Sequence, residues 1–119
     1  MAHPVVWFEV LGNNGGKLRS FYGELFGWKI DAGNPMKYGM VETGGKGGIP
    51  GGVGDVLEGT RPWITFYVHS DDLAASLAHA ERLGGKTVLP PRQFPDGPAI
   101  AAFEDPEGHV VGLVKEKAA

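Results

Sequence analysis

Apolar and polar side chains alternate along two short segments of the chain. In residues 5–10 (VVWFEV), Val5, Trp7 and Glu9 share one face, and residues 63–68 (WITFYV) alternate in the same way. A period of two along the chain is typical of a strand whose two faces meet different surroundings. Both segments are therefore predicted to be half-buried β-strands.

Each predicted strand is followed by a segment with the periodicity of an amphipathic helix. In the first segment, apolar residues recur at intervals of three and four, at Leu18, Phe21, Tyr22, Leu25 and Phe26. In the second they are Leu73, Leu77, Ala80 and Leu83. This spacing predicts one apolar stripe on each helix. Asn13 or Asn14 can cap the first helix and Gly27 can end it, while Gly84 and Gly85 end the second.

The pattern of the first half recurs in the second half at an offset of 58 residues, which carries Val5 onto Trp63 and Gly27 onto Gly85. Further strands are predicted at 28–30, 37–43 and 47–53, and then at 86–89, 98–103 and 109–115. Internal duplication is the best explanation. The sequence thus predicts an α+β fold of two tandem βαβββ modules, at about 4–54 and 61–117, in a single domain spanning 1–119.

The two faces of each leading strand differ in character. The more uniformly apolar sets are expected to pack against the helices: Val6, Phe8 and Val10, with Ile64, Phe66 and Val68. The opposite sets mix aromatic and polar groups: Val5, Trp7 and Glu9, with Trp63, Thr65 and Tyr67. Apolar walls with a few placed polar groups are typical of a ligand cavity.

The composition argues against several classes of partner and of protein. The net charge of −3 gives no reason to expect nucleic acid or an anionic membrane as a partner. There is no cysteine, and no stretch approaches the roughly 20 apolar residues of a membrane span. Cytoplasmic localisation is the expectation. The 20 glycines cluster in residues 44–59, which predicts loop or linker structure there.

Two motifs support a family resemblance. Residues 21–30 read FYGELFGWKI and residues 105–114 read DPEGHVVGLV. With the paired modules, they resemble the vicinal oxygen chelate superfamily, which includes glyoxalase I, extradiol dioxygenases and bleomycin-resistance proteins. The resemblance implies curved mixed sheets around a cup, helices on the outer face, and a homodimer. It also implies a divalent metal held by four ligands, one from the first and one from the last strand of each module.

The positions that the resemblance assigns to these ligands carry no donor side chain. They are Val5, Trp63 and Gly112, with the fourth within residues 50–52 (PGG). Imidazole or carboxylate is needed to replace water around such a metal. By strand parity, the side chain of His109 lies on the face of the predicted strand opposite Gly112. The sequence therefore predicts no metal and no other cofactor.

Glu9 and Tyr67 are the candidate catalytic groups. Desolvation among aromatic rings would favour the protonated form of Glu9 and suit it to acid or base chemistry. Alternatively, Glu9 lies at the open end of its strand, where it is solvated or paired with an arginine such as Arg92. The Pro-rich segment 89–99 is either a flap that brings Arg92 to an anionic ligand or a rigid connection between strands.

Trp7, Trp63 and Tyr67, with Thr65, form the predicted binding surface for a flat or cationic small molecule. The same rings could instead fill the cup or an interface. The function expected from the sequence is metal-free binding of a small molecule. One alternative is a metal-independent lyase or isomerase that uses Glu9 or Tyr67. Another is a drug-sequestering resistance protein, since a pI of 5.7 is compatible with a cationic drug.

Overall fold

The computed structural model describes residues 3–58 and 60–117. The first module contains β1 (Val5–Gly12), α1 (Gly15–Phe26), β2 (Lys29–Asp31), β3 (Gly39–Glu42) and β4 (Gly51–Asp55). The second contains β5 (Trp63–His69), α2 (Leu73–Arg82), β6 (Lys86–Gln93), β7 (Ala99–Glu104) and β8 (Val110–Lys115). The predicted α+β fold of two βαβββ modules is confirmed. Neither helix in the described ranges is long and apolar enough to cross a membrane.

The strands of the two modules follow the same order. In the first module the order is β2-β3-β4-β1, and in the second it is β6-β7-β8-β5. The leading strand runs parallel to the last strand in each case, while the other neighbours are antiparallel. Glu9 pairs with Gly52, and Tyr67 pairs with Gly112. Because Glu9 and Tyr67 correspond at the 58-residue offset, Gly52 is the counterpart of Gly112.

Contacts divide the described chain into two compact units. One comprises residues 7–64, and the other comprises residues 3–6 together with 65–117. The divisions fall within β1 and within β5, so each unit holds most of one module. The assignment of the whole chain to a single domain stays a prediction.

Helix α1 begins and ends where the sequence predicts. The side chain of Asn14 accepts a hydrogen bond from the Lys17 amide at 3.0 Å, which satisfies one of the free amides of the first turn. Gly27 ends the helix with a φ of 68°, and its amide bonds the carbonyl of Gly23. A left-handed residue at this point is favourable for glycine because it has no Cβ.

Only part of the predicted apolar stripe of α1 packs against the sheet. Leu18 and Tyr22 pack against the first core, which consists of Val10, Val41 and Val53, with Phe8, Trp28 and Ile30 also in contact. Phe21 and Leu25 are 57% and 59% exposed. The first module thus has an apolar helix surface that its own sheet does not cover.

The second core forms between α2 and its sheet. Leu73 and Leu77 pack with Ala101 and Leu113, and Val68 lies against this cluster as predicted. The expectation that Ile64 and Phe66 also pack on the helix side is wrong, because they are 74% and 43% exposed. Helix α2 packs on β6, β7 and β8 instead.

Strand β6 continues past the point at which the two prolines were expected to end it. It extends through Pro90 and Pro91 to Gln93, with a register shift between Leu89 and Arg92 in its pairing with β7. A bulge lets a strand accept residues that cannot join the regular ladder. The predicted connection at 89–99 therefore shortens to residues 94–98.

Candidate functional site

Glu9 is the buried carboxylate of the first module. It alternates with Phe8 and Val10, which pack on the helix side, so its side chain lies on the opposite face of β1. Glu9 is 4% exposed and is the one charged residue in the buried class among residues 3–58 and 60–117. The interpretation of Glu9 as a solvated group is therefore wrong. Its pairing with Arg92 stays a prediction.

Both carboxylate oxygens of Glu9 accept hydrogen bonds from aromatic side chains. The indole Nε1 of Trp63 donates to Oε1 at 2.8 Å, and the hydroxyl of Tyr38 donates to Oε2 at 2.8 Å. Hydrogen bonds to an ionised acceptor are stronger than those between neutral groups. Two donors on separate oxygens also fix the plane of the carboxylate.

Tyr38 connects Glu9 to a more exposed residue. Its hydroxyl oxygen accepts a hydrogen bond from Nε1 of Trp7 at 3.0 Å. Burial is the main cause that raises the pKa of Tyr38 far above its ordinary value, and the negative charge of Glu9 adds to it. Tyr38 therefore stays protonated and keeps donating to Glu9. Trp7 and Tyr38 are both partly exposed, so the connected groups lead from the surface to a buried charge.

A short loop between β2 and β3 places Tyr38. The Asn34 side chain clamps both backbone groups of Tyr38, since Oδ1 accepts from its amide at 2.9 Å and Nδ2 donates to its carbonyl at 2.7 Å. Lys37 adopts a φ of 52°, and its carbonyl accepts from the guanidinium of Arg19 at 3.0 Å. The sequence does not indicate a role for Tyr38, because nothing local to residues 32–38 points to its distant partner.

Glycines in β4 make room for the aromatic rings. A Cβ at Gly52 would overlap the hydroxyl and ring of Tyr38, and a Cβ at Gly51 would overlap the ring of Phe8. These two rings lie on opposite faces of the sheet because successive positions of a strand alternate. Within the glycine-rich segment 44–59, the strand predicted at 47–53 is thus present as β4, and its glycines allow close packing.

The remaining candidates for ligand binding lie in the other compact unit. Thr65 and Tyr67 are buried, and the hydroxyl of Thr65 donates to the carbonyl of Val110 at 2.6 Å. The ring of Tyr67 lies against Gly112. The guanidinium of Arg92 lies 5.2 Å from the ring centroid of Phe94. Roles for these residues in binding or catalysis stay predictions.

The residues present do not fit the metal centre that the resemblance implies. Val5, Trp63, Gly52 and Gly112 supply no imidazole or carboxylate. A Cβ at Gly112 would come within 2.5 Å of the Tyr67 ring, so no ligand side chain can begin there without displacing it. Within the described part of the chain, no group of three or more histidine, cysteine, aspartate or glutamate side chains could hold a metal ion.

Histidines away from Glu9 take part in local structure. His3 Nδ1 lies 2.9 Å from the carbonyl oxygen of His69, and the His69 ring pairs with Asp71 at 3.0 Å. These residues and His79 line a cleft of about 320 Å³ at the start of α2. The cleft also contains a hydroxyl pair, Ser70 and Ser76, at 2.7 Å.

The acidic turn before β8 is held by hydrogen bonds. Asp105 Oδ1 accepts from the backbone amides of Glu107 and His109, while Oδ2 lies 3.0 Å from Nδ1 of His109. The bond from the His109 amide is the main cause that lowers the pKa of Asp105. The His109 side chain is 74% exposed.

Comparison with known proteins supports the family resemblance that the sequence motifs indicate. A family model described as a glyoxalase-like domain matches residues 12–114. No curated protein sequence matches this chain significantly.

Solved structures share the fold at low sequence identity. A glyoxalase/bleomycin resistance protein/dioxygenase superfamily member from Vibrio splendidus aligns with a TM-score of 0.61 and 12% identity, covering 96% of this chain and 99% of its own. Methylmalonyl-CoA epimerase from Mycobacterium tuberculosis aligns with a TM-score of 0.63 and 14% identity, covering 96% and 88%. A protein described as an NAD-dependent benzaldehyde dehydrogenase from Legionella pneumophila aligns at 0.65 and 15%, covering 93% and 98%. These similarities show the fold alone.

Proposed function

This chain belongs to the glyoxalase-like domain family, and we propose that it binds a small organic molecule without a metal ion. The proposed site is the face of the first module's sheet that carries Glu9. One observation carries the proposal: hydrogen bonds connect the partly exposed Trp7 through Tyr38 to the buried Glu9. A few placed polar groups among aromatic walls are typical of ligand sites.

The chemistry of these groups favours a flat ligand with a positive charge. Aromatic faces attract cations as well as flat apolar surfaces. A nearby carboxylate adds attraction to a positive charge, and this attraction is stronger where water is excluded. The net charge of −3 also favours the approach of cations.

Pairs of ligands that differ only in charge test this proposal. Planar aromatic amines and their neutral isosteres are titrated into the protein, and the melting temperature and tryptophan fluorescence are recorded. We expect at least one amine to raise the melting temperature in a saturable manner, since a ligand that binds the folded state stabilises it by mass action. The neutral isostere should give a smaller shift.

Two substitutions locate the binding site. Glu9→Gln should abolish the shift in melting temperature, whereas Glu24→Gln, on the exposed surface of α1, should leave it unchanged. Equal shifts in both variants would contradict a role for Glu9. A broad panel that changes neither fluorescence nor melting temperature would contradict the binding function itself.

A second candidate function is metal-independent proton transfer, as in a lyase or isomerase, with Glu9 or Tyr67 as acid or base. The observation that favours it is the burial of a carboxylate whose two oxygens are held in place. A structural neighbour is described as an epimerase, which gives a first substrate class to examine, acyl thioesters with an acidic α-hydrogen. Exchange of that hydrogen in D₂O, measured by NMR, tests the function. Exchange that Glu9→Gln and Tyr67→Phe both leave unchanged would exclude these groups.

Drug sequestration is the third candidate, and the fate of the ligand separates it from catalysis. A sequestering protein binds its ligand stoichiometrically and releases it unaltered after denaturation. Mass spectrometry of the recovered ligand detects any turnover. Drug sequestration is suggested by the acidic pI of 5.7, which is compatible with a cationic drug.

We also propose that the protein is a cytoplasmic homodimer. Phe21 and Leu25 on α1 are more than half exposed, and large apolar side chains are enriched where subunits meet. Light scattering after size exclusion should give twice the 12.6 kDa chain mass. Leu25→Lys should give a monomer, because it places a charge in the proposed interface. A monomeric wild-type protein would contradict the proposal. Cell fractionation tests the location.

A further inference from the structure

We infer that Tyr38 takes the place of the last-strand metal ligand of the first module and sets the orientation of the Glu9 carboxylate. The inference concerns the protein before any ligand binds. Failure of the proposed binding function would therefore leave this inference unaffected.

Strand register identifies the position that Tyr38 fills. The resemblance assigns the last-strand ligand of the second module to Gly112, which pairs with Tyr67. Glu9 corresponds to Tyr67 at the 58-residue offset and pairs with Gly52. Gly52 is therefore the equivalent position in the first module, and a ligand side chain would begin there.

The ring of Tyr38 occupies the space in which that side chain would begin. A Cβ at Gly52 would overlap the Tyr38 hydroxyl and ring, and a Cβ at Gly54 would also come within 3.3 Å of the ring. The second module has the same relationship, with the Tyr67 ring against Gly112. Restoring a carboxylate at either glycine would require the displacement of an aromatic ring. A packed aromatic ring thus fills the space that a metal-ligand side chain at Gly52 would need.

Tyr38 also acts on Glu9 as a positioning residue. Its hydroxyl binds one carboxylate oxygen and the indole of Trp63 binds the other, each at 2.8 Å. Tyr38 is itself held by Asn34 through both of its backbone groups. Removal of the Tyr38 hydroxyl should therefore free the carboxylate to rotate and should alter its bond with Trp63.

Metal titration tests the replacement of the ligand. The full chain is dialysed against EDTA and titrated with Zn²⁺, Ni²⁺ and Mn²⁺ by calorimetry, and the metal content is measured by elemental analysis. We expect no binding that depends on Glu9, so wild type and Glu9→Gln should give the same isotherm. Binding of one metal equivalent that is lost in Glu9→Gln would overturn the inference.

Indole NMR tests the positioning role. The three tryptophans give three indole N–H signals, which single Trp→Phe variants assign. Tyr38→Phe keeps the ring against Gly52 and removes only the hydroxyl, so it should shift the signals of both Trp7 and Trp63. Tyr22→Phe is the matched control, since Tyr22 stacks on Trp28 with ring centroids 5.9 Å apart and should affect mainly that signal.

The Trp63 signal decides the outcome. If Tyr38→Phe shifts Trp7 but leaves Trp63 unchanged, Tyr38 does not position Glu9 and the inference is overturned. Circular dichroism verifies the fold of each variant. Should Tyr38→Phe fail to fold, Asn34→Ala provides the same test, because it loosens the loop that places Tyr38. The Trp63 signal should then shift in that variant, and a fixed signal would count against the inference.

Discussion

The ring of Tyr38 lies in the volume that a side chain at residue 52 would require, so Tyr38 and Gly52 depend on one another. The pair brings a loop residue against β4, a strand that lies in the glycine-rich segment 44–59. It also places the Tyr38 hydroxyl on Glu9 at 2.8 Å. Close packing and the buried hydrogen bonds of this site thus have a common structural origin.

Gly52→Ala should lower the free energy of unfolding by about 1–3 kcal/mol, because the added methyl group displaces the Tyr38 ring. Urea unfolding monitored by fluorescence measures the change. Gly45→Ala is the matched control, since a Cβ there meets nothing within 4 Å, and its effect should stay within about 0.5 kcal/mol. In a Tyr38→Ala background the cost of Gly52→Ala should largely disappear. An unchanged cost would mean that the two residues are not coupled.

Glu9→Gln should destabilise the protein by about 1–3 kcal/mol, because an amide cannot accept hydrogen bonds at both positions. Its nitrogen would face either the Trp63 indole or the Tyr38 hydroxyl, which both donate to Glu9. Denaturant unfolding is the measurement, with the exposed Glu24→Gln as control. Equal stability of the two variants would argue that the hydrogen bonds to Glu9 contribute nothing.

The stability of the protein should fall as the pH rises above about 10. Burial and the charge of Glu9 raise the pKa of Tyr38 above its ordinary value of 10.0. The unfolded chain therefore loses this proton first, and unfolding becomes more favourable by up to about 1.4 kcal/mol per pH unit. Tyr38→Phe should remove this one-proton contribution from the dependence of unfolding free energy on pH. An identical slope in wild type and Tyr38→Phe would contradict the prediction.

Asn34→Ala should cost about 1–2 kcal/mol through the two hydrogen bonds that it makes to Tyr38. Because it releases the loop that carries Tyr38, it should also increase hydrogen exchange of the amides in residues 32–38. Asn13→Ala, at an exposed position before the cap of α1, is the control. Normal protection in residues 32–38 of the Asn34 variant would show that other contacts hold the loop.

The glycines of β4 indicate from the sequence that another group packs closely on this strand. Glycine within a strand pattern often marks a place where another group approaches closely. The glycine cluster of residues 44–59 also predicts loop or linker structure, and this competes with the strand predicted at 47–53. The pattern could have indicated that some ring packs on β4, although it could not have identified the ring.

The order of elements, the end of α1 at Gly27 and the duplication of the module follow from the sequence alone. The placement of Gly112 and Leu113 on opposite faces of β8 also follows from it. These features depend on local periodicity and on the conformational preferences of single residues, which neighbouring positions are sufficient to reveal.

The environment of Glu9, in contrast, depends on tertiary contacts. Tyr38 is 29 positions away from it and Trp63 is 54 positions away, so the register of separate elements brings them together. The exposure of Ile64 and Phe66 was also decided at this level, because a period of two distinguishes the faces of a strand but does not show what covers each face. Burial and partner choice arise from contacts between distant segments, and the local pattern of one segment does not contain them.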